Sequence, residues 1–184
     1  MINTKRLLLR PWQNRDVQEY AAINADKEVM RYFPSNYSEA ESKAQIQRFN
    51  QSINELGFGF WAAELLETRR CIGFIGLSSL PKELPFSPCV EIGWRLARNV
   101  WRKGLASEGA NAVLDYAFET LELNEIVSVT PVTNIPSQGV MKKIGMVRQA
   151  GTFLHPRIKP EHELAEHVLF KLDQHKWHKR NLDN

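Results

Sequence analysis

The stretch VEIGWRLARNVWRKGLASEGA, residues 90–110, constrains the fold more than any other part of the chain. Its first part belongs to a strand predicted over 89–97, and the periodicity changes at Gly104. A helical stripe about five turns long follows. The stripe consists of Ala106, Ala110, Val113, Leu114, Ala117, Phe118 and Leu121. A strand that passes through a short loop directly into a long helix predicts an α/β unit.

The segments before this unit alternate between helix and strand signals. Residues 5–10 predict a strand, and a helix is expected from about Asp16 to Arg31, where Pro34 stops it. Ser38 and Glu41 form a capping-box pair, which predicts the start of a second helix that ends before Gly57.

An antiparallel hairpin is expected after these helices. Its strands are 58–67 and 71–80, which are rich in aromatic and aliphatic residues, and a short charged turn at 68–70 separates them. Residues 81–88 contain three prolines and are expected to form a loop.

The C-terminal part completes the expected mixed α/β sheet. It contains a strand at 125–130, a helix at 136–144 closed by Gly145, and strands near 147–154 and 165–172. The tail DQHKWHKR is expected to be a surface helix.

Composition excludes several classes of protein. The 184 residues suffice for one domain with a substantial core. The formal charge of +3 comes from 24 basic and 21 acidic residues, too even a balance for nucleic acid or an anionic membrane as main partner. Cys71 and Cys89 belong to no CxxC pair or Cys/His cluster, so neither a metal site nor a disulfide framework is expected. Without a signal peptide or apolar span, a cytoplasmic location is the expectation.

The loop of residues 98–103 predicts an anion site. It carries Arg98, Arg102 and Lys103 and enters the helix at Gly104. The start of a helix has unpaired N–H groups and a partial positive charge, which attract phosphate, and glycine allows the ligand to approach the backbone closely. An ordinary connection with solvated basic residues is the alternative.

A second segment, TNIPSQGVMKKIGM at 133–146, follows the next strand. Asn134 can present its amide at the end of that strand, Pro136 suits a first helical position and Ser137 lies in the first turn. Plain helix capping is the alternative for this segment.

Together the two segments resemble the GNAT acetyltransferase superfamily and, within it, the RimJ/RimL-like branch. Trp101-Arg102-Lys103-Gly104-Leu105-Ala106 occupies the acetyl-CoA loop Gln/Arg-x-x-Gly-x-Gly/Ala, with a tryptophan first that resembles the RimJ-type variant. Asn134 and Ser137 match the Asn-x-x-Ser element, and residues 143–146 (KIGM) resemble Lys-Leu-Gly-Phe. The opening TKRLLLRP of residues 4–11 resembles the first strand of the branch.

The resemblance implies the fold and the activity. It implies a single domain over 1–184, with a twisted, mostly antiparallel sheet of about six to seven strands flanked by about four helices. The strands at 90–96 and 125–130 would form a parallel pair that splays apart. The implied activity is acetyl-CoA-dependent N-acetylation of a primary amine, by direct attack in a ternary complex.

The resemblance also implies the residues that bind the coenzyme. The pantetheine arm would bond the main chain near Arg95 and Leu96, and Asn134, with Ser137, would hold it from the other side. The diphosphate would rest on the N–H groups of Arg102, Lys103, Gly104, Leu105, Ala106 and Ser107.

For catalysis, the position of Glu91 resembles that of the strand glutamate that acts as general base in several GNAT enzymes. A carboxylate paired with a neighbouring arginine is the alternative. His155 is a second candidate base, with a structural role as its alternative. Met141 occupies the place where many members have a proton-donating tyrosine, which leaves Ser137, or a solvated thiolate that needs no acid.

The acceptor is expected to be a protein N-terminal α-amine or a small-molecule amine. Its specificity would come from the first two helices, the 81–88 loop and the 155–163 connection. Phe33, Trp61 and Trp94 either line that cleft or belong to the core. A homodimer is a further expectation. The competing functions are a non-catalytic acyl-CoA-binding module and a basic nucleic-acid binder.

Overall fold

The computed structural model describes residues 1–80, 82–84 and 86–182. They form two compact units: Met1–Ser78 with Gly93–Val113, and Ser79–Ile92 with Leu114–Asn184. None of the described helices is both long and apolar enough to cross a membrane.

The first unit has two strands, three α-helices and two further strands in chain order before residue 79. They are β1 (Ile2–Asn3), β2 (Leu7–Arg10), α1 (Val17–Ala25), α2 (Lys27–Met30), α3 (Glu39–Leu56), β3 (Phe60–Leu65) and β4 (Arg70–Ser79). From Gly93 to Val113 the unit continues with the second half of β5 (Val90–Leu96) and with most of α4 (Leu105–Asp115). β1, β2, β3 and β4 pair antiparallel in this order, with an irregularity between Ala62 and Glu64.

Aromatic side chains fill the space between α1, α3 and the sheet of the first unit. Trp12, Tyr20, Phe49, Phe60 and Phe74 pack with ring centroids 4.5 to 6.4 Å apart. Clusters of this kind bury large apolar areas and orient the helices above the sheet.

Two helix boundaries show what local sequence decides. The capping box of Ser38 and Glu41 is present at the start of α3, and Gly57 follows its last residue, as predicted. The single helix expected from Asp16 to Arg31 is wrong, because the chain is extended at Asp26 and a new helix, α2, starts there. The Asp26 side chain accepts from the Glu28 N–H, a capping bond that favours a helix start over continuation.

The second unit begins with loop residues and the first half of β5. It continues with the π-helical turn Tyr116–Thr120, β6 (Glu125–Pro131), α5 (Ile135–Lys143), β7 (Val147–Arg148), β8 (Phe153–Leu154), β9 (Glu166–Asp173) and α6 (Gln174–Leu182). β5 pairs parallel with β6, which pairs antiparallel with β9 along its whole length. Positions 81 and 85 of the expected 81–88 loop lie outside the described residues, and the rest of that segment contains no helix or strand.

The strand expected over 147–154 is in fact two short strands. Val147 pairs with Lys171, and Phe153 pairs with His167. The two residues are six positions apart in the sequence, whereas their partners on β9 are four positions apart. The chain between Arg148 and Phe153 therefore has two residues more than the facing part of β9, although the Gln149 N–H still donates to the Leu169 carbonyl at 2.8 Å. Antiparallel pairing together with the parallel β5–β6 pair confirms the predicted mixed α/β fold class.

Candidate functional site

Within the part of the chain that the structure describes, the turn that leads into α4 has backbone amides without protein partners. The first bond of the helix runs from the Glu108 N–H to the Gly104 carbonyl at 3.0 Å. Three N–H groups come before Glu108 in the first turn of the helix, those of Leu105, Ala106 and Ser107. They have no hydrogen-bond acceptor among the described residues. They form the kind of donor set that binds phosphate oxygens at helix starts.

The same turn is open rather than blocked by its own side chains. Gly104 has a φ of +78°, and a Cβ there would have only Arg6 Nη2 near it, at 3.6 Å. Arg102, with a φ of +60°, and Lys103 are exposed. The turn therefore combines an open glycine, free amides and two cations, which suits a diphosphate.

Arg6 fixes this turn from the segment before β2, a role that the sequence analysis missed. Its Nη1 donates to the Lys103 carbonyl at 2.9 Å, and its Nε donates to Glu108 Oε2 at 2.7 Å. Glu108 Oε1 also accepts from the Thr4 hydroxyl at 2.6 Å. Burial acts to raise the pKa of Glu108, but the bonds from Thr4 and Arg6 prevail and lower it. The only signal in the sequence was the position of Arg6 within the family-like opening segment.

The indole of Trp101 is hydrogen-bonded to the end of β5. Its Nε1 donates to the Leu96 carbonyl at 2.8 Å, and 37% of the residue is exposed. Leu96 was predicted to offer its main chain to the pantetheine arm. One acceptor site of its carbonyl is thus already used, which leaves the second lone pair for a ligand.

Glu91 lies at the position where β5 and β6 pair in parallel. Glu91 pairs with Val127, the Ser128 hydroxyl donates to the Ile92 carbonyl at 2.9 Å, and no other register pair joins these strands among the described residues. Burial raises the pKa of Glu91 to about 7, although the charge of Arg157 acts to lower it. Within the described chain the carboxylate has neither a hydrogen bond nor a salt bridge within 4 Å, so the expected alternative of a paired carboxylate is not what the structure has.

Asn134 and Ser137 meet at the start of α5. The Asn134 Oδ1 accepts from the Ser137 N–H at 3.3 Å, and its Nδ2 donates to the Thr130 hydroxyl at 2.8 Å. Asn134 therefore caps the helix, while one of its two amide hydrogens stays available. The Ser137 hydroxyl makes no hydrogen bond in the described part of the chain. Met141 is buried in the core.

Two histidines of the second unit stack at a centroid distance of 4.9 Å. His155 Nδ1 accepts from the Arg157 N–H at 3.3 Å, and burial lowers the pKa of His155. Burial also lowers the pKa of His167 to about 4, although its bond to the Ala165 carbonyl acts against that shift. The His167 ring is therefore neutral at neutral pH, and no motif in the sequence distinguished this residue.

The three aromatic residues proposed to line an acceptor cleft separate into different environments. Trp61 is a core residue, Trp94 is half-buried, and the half-buried Phe33 stacks on the guanidinium of Arg95. The 155–163 connection contributes to a depression of about 470 Å³ lined by Thr152, Phe153, Leu154, Pro160, His162 and Glu166, among others.

The sequence profile of the acetyltransferase (GNAT) domain matches residues 6–147 of the chain. The chain belongs to the GNAT acetyltransferase family. The uncharacterized N-acetyltransferase YnaD of Bacillus subtilis (strain 168) is 33% identical over 178 residues, which cover 96% of this chain and 98% of YnaD.

Solved GNAT structures have the same fold. An acetyltransferase (GNAT family) from Bacillus anthracis superposes with a TM-score of 0.79 at 26% identity, covering 95% of this chain and 98% of that one. Spermidine N-acetyltransferase from Vibrio cholerae, in complex with CoA and spermine, superposes with a TM-score of 0.73 at 20% identity and covers 94% and 98%. This second likeness shows the fold alone.

As a GNAT acetyltransferase, the protein uses acetyl-CoA as its acyl donor. The free amides and the open glycine at 104 fit the diphosphate of that donor.

Proposed function

We propose that this GNAT enzyme acetylates a primary amine by direct attack of the acceptor on acetyl-CoA, with Glu91 as general base. The acceptor is a protein N-terminal α-amine or a small-molecule amine. The observation that supports the proposal most is the Glu91 carboxyl, which has no partner in the described chain and whose pKa is raised by burial to about 7.

The chemistry requires a neutral acceptor nitrogen. An alkyl ammonium has a pKa near 10 and is almost fully protonated at neutral pH. A base is most effective when its pKa lies near the working pH, where it is substantially ionised and still holds the proton it accepts. A carboxyl with an ordinary pKa would be a poorer proton acceptor, so the raised pKa of Glu91 suits this role.

Acetyl-CoA supplies the thioester carbon that the amine attacks and the thiolate that leaves. The new C–N bond forms as the C–S bond breaks, and the electron pair of that bond leaves with sulfur. Starting from the ammonium form, two protons leave the acceptor nitrogen. Glu91 takes one and releases it to solvent, and the other reaches the sulfur through the Ser137 hydroxyl or water. Buried Met141 has no proton to give.

We propose that the N–H groups of residues 102–107 bind the diphosphate of acetyl-CoA. The main chain of Arg95 and Leu96 and the free amide hydrogen of Asn134 bond the pantetheine arm. The free amides at the start of α4 and the spare hydrogen on Asn134 support this assignment. The exposed side chains of Arg102 and Lys103 add positive charge to the diphosphate site.

The finer assignments remain predictions. The assignment to the RimJ/RimL-like branch is based on Trp101 and on the opening segment 4–11. Action as a single acetyltransferase domain over 1–184, a cytoplasmic location and a homodimer are predictions of the same kind.

A donor-dependent assay tests the proposal. Thiol release from acetyl-CoA is followed with a panel of primary amines and with peptides that have free N-termini. The proposal expects release that depends on one acceptor class and produces the N-acetylated amine. Tight CoA binding with no turnover on any acceptor would instead indicate a non-catalytic acyl-CoA-binding module.

A further inference from the structure

Two arginines of the first unit are almost fully buried, and they differ in their partners. Arg10 is 3% exposed and forms salt bridges with Asp16 at 2.7 Å and with Glu64 at 2.8 Å. Arg95, on β5, is 6% exposed and has no carboxylate within 4 Å among the described residues. Arginine is rarely buried to this degree unless an anion pairs with it.

Neutral oxygens are the hydrogen-bond acceptors around Arg95. Its Nη1 donates to Asn24 Oδ1 at 2.7 Å and lies 3.5 Å from the Tyr20 hydroxyl. Asn24 is oriented by its own bond to Ser42, and the Tyr20 hydroxyl donates to Gln45. The two oxygens are therefore turned toward the guanidinium, but neither neutralises its charge.

Aromatic rings cover the guanidinium. Its central carbon lies 4.0 Å from the centroid of Phe33, 5.4 Å from Phe74 and 5.6 Å from Tyr37. These rings stabilise a cation through their faces and exclude water from it. The Nε is completely buried and has no acceptor in the described chain. The side chains of Phe33, Tyr37 and Phe74, with Tyr20 and Asn24, surround the guanidinium and form the Arg95 chamber, in which the Nε–H is the donor without a partner among the described residues.

We propose that the acceptor amine carries a carboxylate and that Arg95 binds this carboxylate through its Nε–H. The inference rests on the proposed acetyl transfer and names the substrate class for it. A carboxylate supplies both the missing charge and an acceptor for Nε, and guanidinium and carboxylate match in planar geometry. The chamber is built by α1, by β4 and by residues 33 and 37, which follow α2, so it includes the region expected from the sequence to select the acceptor.

The electrostatics of Arg95 agree with this inference. Burial lowers the pKa of Arg95, although Tyr20 and Tyr37 act to raise it. The pKa of Arg10 is raised instead, chiefly because its side chain is hydrogen-bonded to Asp16. An anion that binds in the chamber would reverse the effect of burial on Arg95.

Matched acceptors test the proposal. Thiol release from acetyl-CoA is measured with amino acids and short peptides, each compared with the same molecule as its C-terminal amide. The proposal expects kcat/KM on the order of 10- to 100-fold higher for the carboxylate of a preferred pair. Equal kcat/KM for acid and amide in every pair that turns over would overturn it while leaving the acetyltransferase proposal intact.

Variants of Arg95 separate recognition from folding. Arg95→Met should lower kcat/KM more for the acid than for its amide, so that the preference between them disappears, and Arg95→Lys should restore part of the preference. Arg48→Met, an exposed arginine on α3, is the matched control and should keep the full preference. If Arg95→Met lowers both members of a pair equally, the role of Arg95 is structural and the proposal fails.

A result with no turnover at all is also decisive. In that case the acetyl-transfer proposal fails, and calorimetric titration of the same acids into the CoA-bound protein tests the chamber alone. Binding of the acids that Arg95→Met abolishes, with no binding of the amides, supports a carboxylate site. Absence of any carboxylate binding to the wild-type protein overturns it.

Discussion

Arg6 donates from Nη1 to the backbone carbonyl of Lys103 at 2.9 Å and so ties the segment before β2 to the turn that begins α4. The same guanidinium is anchored by Glu108, and its Nη2 lies 3.6 Å from the position that a Cβ on Gly104 would take. The side chain that shapes the turn therefore also faces the place proposed for the diphosphate.

Replacing Arg6 should weaken donor binding. We expect Arg6→Met to raise the dissociation constant for CoA by about tenfold, or ~1.4 kcal/mol, because a bond that holds the turn and a nearby positive charge are both lost. Calorimetric titration with CoA measures the change, and exposed Arg48→Met is the charge-matched control. Equal affinities for CoA in Arg6→Met and the wild-type protein would exclude this role.

The open space at Gly104 leads to a second prediction. Gly104→Glu should abolish detectable CoA binding, because it places bulk and negative charge where the diphosphate is expected. Gly151→Glu is a matched control: its φ of +76° is nearly the +78° of Gly104, and its surroundings are also open. Both variants carry the strain of a left-handed residue, so a loss of CoA affinity in Gly151→Glu as well would point to strain alone.

Asn134 caps a helix and is also proposed to bind the donor, and two substitutions separate these roles. Asn134→Asp keeps an oxygen for the Ser137 N–H and removes the amide hydrogens, while the Thr130 hydroxyl, which accepts from Asn134, can donate to the new carboxylate. We expect its thermal stability to stay near wild type while CoA affinity falls. Asn134→Ala should lose about 1 kcal/mol of stability as well, since it removes the cap. Wild-type CoA affinity in Asn134→Asp would argue for a purely structural role.

The raised pKa of Glu91 should also appear in protein stability. The ordinary pKa of this carboxyl is 4.5, and in the folded protein it is about 7. Between these values the unfolded chain has released a proton that the folded protein still holds, so stability should fall as pH rises from about 4.5 to about 7. Glu91→Gln removes this dependence and should be more stable than wild type at pH 8, by about 1 kcal/mol, and equal to it near pH 4.

Urea unfolding at the two pH values measures this difference. Glu125→Gln is the control on the neighbouring strand, because Glu125 forms an exposed pair with Lys171. A Glu91→Gln protein that is less stable than wild type at pH 8 would mean that the carboxylate is paired in the folded protein.

Local sequence was sufficient for elements whose ends are determined by their own residues. The capping box at Ser38 and the change of period at Gly104 predicted α3 and α4, because capping and amphipathic spacing act within a few residues. Asp26 shows the limit of this reasoning. An aspartate is compatible with a turn and with the start of a helix. The spacing of apolar residues alone does not distinguish one continuous helix from two short helices.

The parts of the candidate site that were missed depend on contacts between distant positions. Arg6 and Lys103 are 97 residues apart, and Arg95 and Asn24 are 71 apart, so no sequence window contains either pair. The pKa of Glu91 likewise depends on burial by distant segments. The sequence predicted which side chains have suitable chemistry, and tertiary packing determines which of them remain without partners.

The pH dependence of kcat/KM for an accepted amine, at saturating acetyl-CoA, tests the role of Glu91 most directly. The proposal predicts that activity rises with pH through an ionisation near pH 7 and that Glu91→Gln lowers the rate and removes this ionisation, with CoA affinity unchanged. A Glu91→Gln enzyme that retains the wild-type rate and pH profile would contradict it.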